Sequence, residues 1–228
     1  MNMIRPDLVD AQQSFIASLG TAGTWWDGSE RAAIARGVRT ARTFTEAPPW
    51  ATPESLGVDA AEFGLDHVVL ATIWRLTNHP ATLTSEWYES MVDATCSALD
   101  CDRSEVERRH VELVSIVAAM NAIDRFADAL GTDRPALPAP DRSRPSRHVV
   151  DATVDRHWVP TNSDRGANVF KALTSVPSAL AHVESLSDVH YVPGRTITGD
   201  RSWNRGTLSR SQIELVAAMT SLQNECFY

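Results

Sequence analysis

Residues 102–131, DRSEVERRHVELVSIVAAMNAIDRFADALG, decide the fold class. Val106, Leu113, Val114, Val117, Met120, Ile123 and Phe126 recur at three- and four-residue spacing, which places them on one face of an α-helix. Gly131 closes it, as glycine commonly does at a helix end. The expected helix, Asp102–Leu130, is the longest of the chain.

The pattern outward from it is helical as well. Asp7–Leu19 reads as a short amphipathic helix ended by Gly20. Asp27 or Ser29 caps a second through about Thr43, where the early Glu30 suits the positive helix N-terminus. Pro48, Pro49 and Pro53 make Thr45–Glu54 a loop. Ala60–Thr77, with Val69, Ile73 and Leu76 on one stripe, and Ser85–Leu99, with Trp87, Met91, Ala94 and Ala98, are expected helices. Asp133–Arg147 is rich in proline and arginine and reads as a solvated linker. Val149–Asn162 is compatible with a short strand or with irregular packing. Asn168–Leu186 is helical with a break at Pro177, and Ser209 starts the last helix. There Ser209 and Gln212 form a capping box, and Leu208 with Ile213 a hydrophobic staple. Such features together contribute on the order of 1 kcal/mol. The expected fold is all-α.

Composition narrows the function classes. The 228 residues are 43% hydrophobic and 22% charged, ordinary for a soluble globular protein. A net charge of −8 disfavours nucleic acid and anionic membrane surfaces as partners. The N-terminal residues carry no apolar signal core, and runs such as Val68–Ala71 and Val216–Met219 are far too short to span a bilayer. The expectation is a cytoplasmic enzyme or binding protein. Three cysteines do not make a disulfide scaffold. Cys96 reads as a small core residue, and Cys101, between Asp100 and Asp102, as a poor nucleophile because the acids disfavour its thiolate.

Two segments recur. Leu76-Thr77-Asn78-His79-Pro80 matches Leu173-Thr174-Ser175-Val176-Pro177, and Arg108–Val114 matches Arg210–Val216 in the same order. The expected organisation is an N-terminal helical segment (1–64), a first repeat (65–131), a Pro/Arg-rich linker (132–165) and a second repeat (166–228). The two glutamates Glu112 and Glu214 become equivalent. Twelve residues after Glu112 stands Asp124; twelve residues after Glu214 stands Cys226. The first repeat is therefore read as degenerate and structural, with Glu112 an ion-paired or capped carboxylate within the bundle, or else lining a second pocket.

Glu214 and Cys226 are the candidate site. In one straight helix they would lie about 18 Å apart, so they can meet only if the chain turns between them. Asn224 is a suitable cap for a following helix, in whose first turn Cys226 would fall, and that position lowers a thiol pKa. Glu214, expected to be buried on the preceding helix, could take the thiol proton. No zinc spacing links His67, His79, His110, His148, His157, His182 and His190, and His182 is expected at the surface. There is no G-x-S-x-G, Walker loop or G-x-G-x-x-G, and no cofactor is expected. Trp74 and Trp87 read as core, and Trp25 and Trp26 as anchors of the N-terminal segment.

The run from Leu208 to Tyr228, L-S-R-S-Q-I-E-L-V-A followed by N-E-C-F-Y, resembles the active-site motif of the alkylhydroperoxidase (AhpD-like) and carboxymuconolactone decarboxylase superfamily, in its peroxidase-related branch. Trp25–Ala35, W-W-D-G-S-E-R-A-A-I-A, is similar to that branch too. The family motif is a glutamate, C-x-x-C about twelve residues on, then a histidine. Glu214 and Cys226 match its first two members; the second cysteine and the histidine would fall past Tyr228. Three readings of that ending stay open: the natural chain continues, this member has lost turnover, or Cys226 works with a thiol from elsewhere. The resemblance implies an AhpD-like helical bundle, homo-oligomers, and reduction of organic hydroperoxides with a thiol reductant. In that reading Cys226 is the peroxidatic or resolving thiol and Glu214 the proton-relay base. The alternatives are a non-catalytic scaffold or binding protein of the same fold and a cysteine-independent decarboxylase- or isomerase-like member.

Overall fold

The computed structural model describes residues 4–163, 166–193 and 204–223. Among them the chain forms α1 (Pro6–Ser18), α2 (Gly28–Ala41), α3 (His67–Asn78), α4 (Ser85–Leu99), α5 (Arg103–Leu130), α6 (Asn168–Lys171), α7 (Pro177–His190) and α8 (Arg210–Gln223). Short 3-10 turns cover Arg42–Phe44, Glu54–Leu56, Ala60–Phe63 and Pro80–Thr82. Two isolated bridges, Thr153 with Thr161 and Arg205 with Leu208, are the β-pairing found among the described residues, so the fold is all-α. No described helix is long and apolar enough to cross a membrane.

Local chemistry explains the boundaries. Asp27 accepts from Glu30 N at 2.8 Å while Glu30 accepts from Asp27 N at 2.8 Å, a reciprocal box that starts α2. Asp102 caps α5 through Glu105 N at 2.8 Å, and Gly131, at φ +64°, ends it. The helix expected over Ala60–Thr77 is shorter. Ala60–Phe63 forms a 3-10 turn ended by Gly64 at φ +69°, and Asp66 then caps a new start through Val68 N at 2.9 Å. Leu65, between the two, is buried in the core.

Residues 1–186 form one unit and 187–228 another, a division that falls inside the expected second repeat. In the first unit, α2, α3 and α5 pack on one another, and α4 lies against α3 and α5. Leu19, Ile34, Val38, Leu70, Ile73, Ile116, Met120 and Ile123 are fully buried between them. Trp74 is core as expected, whereas Trp87 is half-buried. Cys96 is also half-buried; it packs beside Tyr88, Met91, Val92 and Val106 rather than inside the main core. Val114 and Phe126 are half-buried too.

The expected linker is solvated, and it is also tied down as a strap. Asp141 N donates to Gly20 O at 2.7 Å, Ser146 N to Gly23 O at 3.2 Å and Arg147 N to Thr24 O at 2.9 Å. Ser143 Oγ accepts from Ala22 N at 2.7 Å. Residues 20–24 expose a row of backbone groups that no helix satisfies, and the strap satisfies them. Beyond it, Thr153 and Thr161 exchange two backbone hydrogen bonds, at 3.0 and 2.9 Å, in otherwise irregular chain.

In the second unit the guanidinium of Arg205 donates to Val189 O, Asp188 O and Tyr191 O at 3.0, 3.2 and 2.7 Å, which closes the C-terminus of α7. Ser209 and Gln212 form the expected box at the start of α8, with bonds of 2.9 and 3.4 Å.

The start of α2 has a steric constraint that a propensity argument misses. A Cβ on Gly28 would lie 2.3 Å from Gly20 O and 2.9 Å from Gly20 C, both backbone atoms. Alanine is the better helix former by about 1 kcal/mol, yet Gly28→Ala is expected to lower stability by about 1–3 kcal/mol through overpacking. Urea denaturation of the variant checks this; unchanged or raised stability would refute the constraint.

Candidate functional site

Glu214 sits one turn into α8. Tyr191 donates its phenolic O–H to Glu214 Oε2 at 2.7 Å, and Arg210 Nε donates to Glu214 Oε1 at 2.5 Å. Arg210 is the i−4 neighbour on the same helix, and Tyr191 directly follows α7. The expectation of a buried carboxylate is corrected: the Glu214 side chain is 45% exposed. Only the Ile213 side of α8 is buried, and Glu214 lies about 100° round the helix from it. The Tyr191 hydrogen bond, and after it the Arg210 charge, hold the Glu214 carboxyl below the ordinary carboxylate range. Burial and the Glu214 carboxylate push the Tyr191 hydroxyl up. The cluster therefore contains an ionised carboxylate beside a neutral phenol. Cys226 lies outside the described residues.

Glu112, which the expected repeat aligns with Glu214, differs in burial and in the direction of its pKa shift. Its side chain is 3% exposed, in the middle of α5. Glu112 Oε2 accepts from Trp25 N at 2.7 Å, and Arg31 Nε stands 3.4 Å from Oε1 without forming a hydrogen bond. Arg31 also donates to Ser18 O and Thr21 O, both at 2.8 Å. Desolvation raises the Glu112 pKa, although Trp25 N and Arg31 oppose it. Twelve residues on, Asp124 receives Nε and Nη2 of Arg39 at 2.9 Å each, a structural pair.

The remaining thiols are poor nucleophiles. Burial pushes the pKa of both Cys96 and Cys101 upward, and neighbouring acids, Asp93 and Glu105 respectively, add to it. His182, expected at the surface, is half-buried; its ring stands edge-on to Phe15 at 5.7 Å, and burial lowers its pKa. No group of three or more potential metal ligands occurs among the described residues. Tyr191 is the site member that sequence reasoning missed. It stands 23 residues before Glu214, with no motif linking the two, so only the fold of the second unit could bring it in.

No family model, curated protein or solved structure matches this chain. The site is accordingly read from its own chemistry.

The buried pair has a measurable pH signature. Arg31→Met removes the cation and leaves Glu112 buried, which costs about 3–5 kcal/mol near neutral pH. Glu112 already titrates above the ordinary carboxylate range in the folded chain, and loss of Arg31 raises it further. The native state then binds a proton that the unfolded state has released, so stability rises as pH falls through that window. The deficit of Arg31→Met relative to the unsubstituted chain is expected to shrink between pH 7.5 and pH 5 in urea titrations. A deficit that stays constant or grows would contradict the assignment.

Proposed function

We propose that this protein is a thiol-dependent, peroxidase-related oxidoreductase acting on small organic hydroperoxides. Cys226 is the reacting thiol and Glu214 the carboxylate that serves it. The observation that supports this reading is the Tyr191–Glu214–Arg210 cluster. Of the two aligned glutamates, the one followed twelve residues later by a cysteine is the solvent-accessible one, held by Tyr191 and Arg210, while its counterpart is locked into the core.

The chemistry balances with an external thiol. The Cys226 thiolate attacks the terminal oxygen of the hydroperoxide. The O–O bond breaks, an alkoxide leaves, and the sulfur becomes a sulfenic acid. A small thiol condenses with it, water leaves, and a mixed disulfide forms. A second thiol attacks that disulfide, frees Cys226 and carries away the oxidised pair. One hydroperoxide and two thiols give one alcohol, one water and one disulfide. A low pKa makes Glu214 a modest base toward the thiol, but once protonated it is a ready donor to the alkoxide.

Turnover of cumene hydroperoxide with dithiothreitol tests the proposal. Cys226→Ser is expected to abolish it, whereas Cys96→Ser and Cys101→Ser retain it. Glu214→Gln should lower kcat by about 100-fold, the lower range for loss of a proton-transfer group. Dimedone should label Cys226 after a hydroperoxide pulse. Turnover that survives Cys226→Ser would overturn the thiol mechanism.

A further inference from the structure

A second feature lies wholly within the first unit and does not involve Cys226. Cys96 and Cys101 bracket the end of α4, where Asp100 turns the chain at φ +48°, in the left-handed region. The carbonyl of Cys96 accepts from Asp100 N and from Cys101 N, the latter at 3.3 Å. Hydrogen bonds from the fifth and sixth residues back to the first define a turn that commonly closes helices, and in it the side chains of the first and sixth residues commonly touch. Cys96 and Cys101 occupy those two positions.

Three observations bring the two sulfurs together. The 3.3 Å hydrogen bond, with standard bond lengths on either side of it, leaves the two Cα atoms no more than about 7 Å apart. A disulfide needs a Cα separation of roughly 4.4–6.8 Å. Both side chains pack against one cluster, Tyr88, Met91, Val92 and Val106, so both face the same side of the turn. Burial raises the Cys101 pKa, Glu105 adds to it and so does Cys96, which places the two thiols within electrostatic reach of each other. Each residue is half-buried and keeps part of its surface open to small reagents.

We propose that Cys96 and Cys101 are a redox pair, closed into a reversible intrachain disulfide by exchange with a small disulfide such as oxidised glutathione. One cysteine thiolate attacks a sulfur of the small disulfide, whose S–S bond breaks; one small thiolate leaves and a mixed disulfide forms. The other cysteine thiolate attacks the protein sulfur of that mixed disulfide, forms the Cys96–Cys101 bond and expels the second small thiolate. The protein loses two electrons and two protons in all, and the small disulfide becomes two thiols. Burial, with Asp93 beside Cys96 and Glu105 beside Cys101, raises both thiol pKa values and slows the first attack. The same environment denies the reduced pair the thiolate stabilisation that makes a dithiol hard to oxidise. The bond staples the last turn of α4 to the residue just before Asp102, the cap of α5.

Redox equilibration of the full chain tests this. The chain is held in graded mixtures of reduced and oxidised glutathione, once native and once in concentrated urea, then acid-quenched, alkylated and digested with trypsin. One tryptic peptide, Leu76–Arg103, holds both cysteines, so mass spectrometry separates its internally bonded, glutathione-bearing and alkylated forms. The internally bonded form is expected to dominate in the native chain. Its oxidation constant should exceed that in urea by about 10–40-fold, because folding has already closed the short loop between the two cysteines. In Cys96→Ser the peptide should instead carry one glutathione, on Cys101. A native peptide that takes up glutathione without forming the internal bond, or an oxidation constant no higher than in urea, would refute the pair.

Discussion

The first unit depends on one buried carboxylate. Glu112 projects from the middle of α5 into the turn between α1 and α2, where it accepts from Trp25 N and faces Arg31. Arg31 in turn gathers the carbonyls of Ser18 and Thr21 at the end of α1. A side chain on Gly23 has no room, since its Cβ would lie 1.9 Å from Glu112 Oε1. The turn so fixed presents the carbonyls of Gly20, Gly23 and Thr24 to the strap, which donates one backbone N–H to each. A charge in a core is costly, and this one is tolerated because it is paired, hydrogen-bonded and shared among three elements. Take it away and the arginine is left uncompensated, with the strap's acceptor row no longer held in place.

The same short sequence serves a different purpose in the second unit. Arg210–Val216 repeats the pattern of Arg108–Val114, yet Glu112 and Glu214 shift in opposite directions. The cause is position along the helix. Glu112 lies far inside a helix covered by α2, α3 and α4, so desolvation dominates. Glu214 lies in the second turn of a helix with much of its surface open, so a local hydrogen bond and an i−4 guanidinium dominate. A shared sequence pattern thus says which residue types recur. It does not say which protonation state they hold, because the dielectric around them comes from elements that the motif does not contain.

This distinction sorts what could be read from the chain beforehand. Signals carried by neighbouring residues were legible: the box at Ser209–Gln212, the bounds of Ser85–Leu99 and the long apolar face closed by Gly131. Signals that need distant partners were not. The helix expected from Ala60 is split because Leu65 must reach the core, and periodicity alone does not show that need. The Pro/Arg-rich stretch is solvated as read, but its backbone pairing was not legible, because its partners, the carbonyls of residues 20–24, are more than a hundred residues away. Tyr191 gave no signal for the same reason: it gains its significance from a residue that only folding brings near.

The contacts of Glu112 and the contacts to α4 share a helix, and this couples them. His110 and Glu112 are two residues apart on α5, so their side chains diverge by about 200° around its axis. Glu112 faces the α1–α2 turn, and His110 faces the aromatic side chains of α4. A shift of either contact therefore moves the same helix, but on opposite sides of its axis.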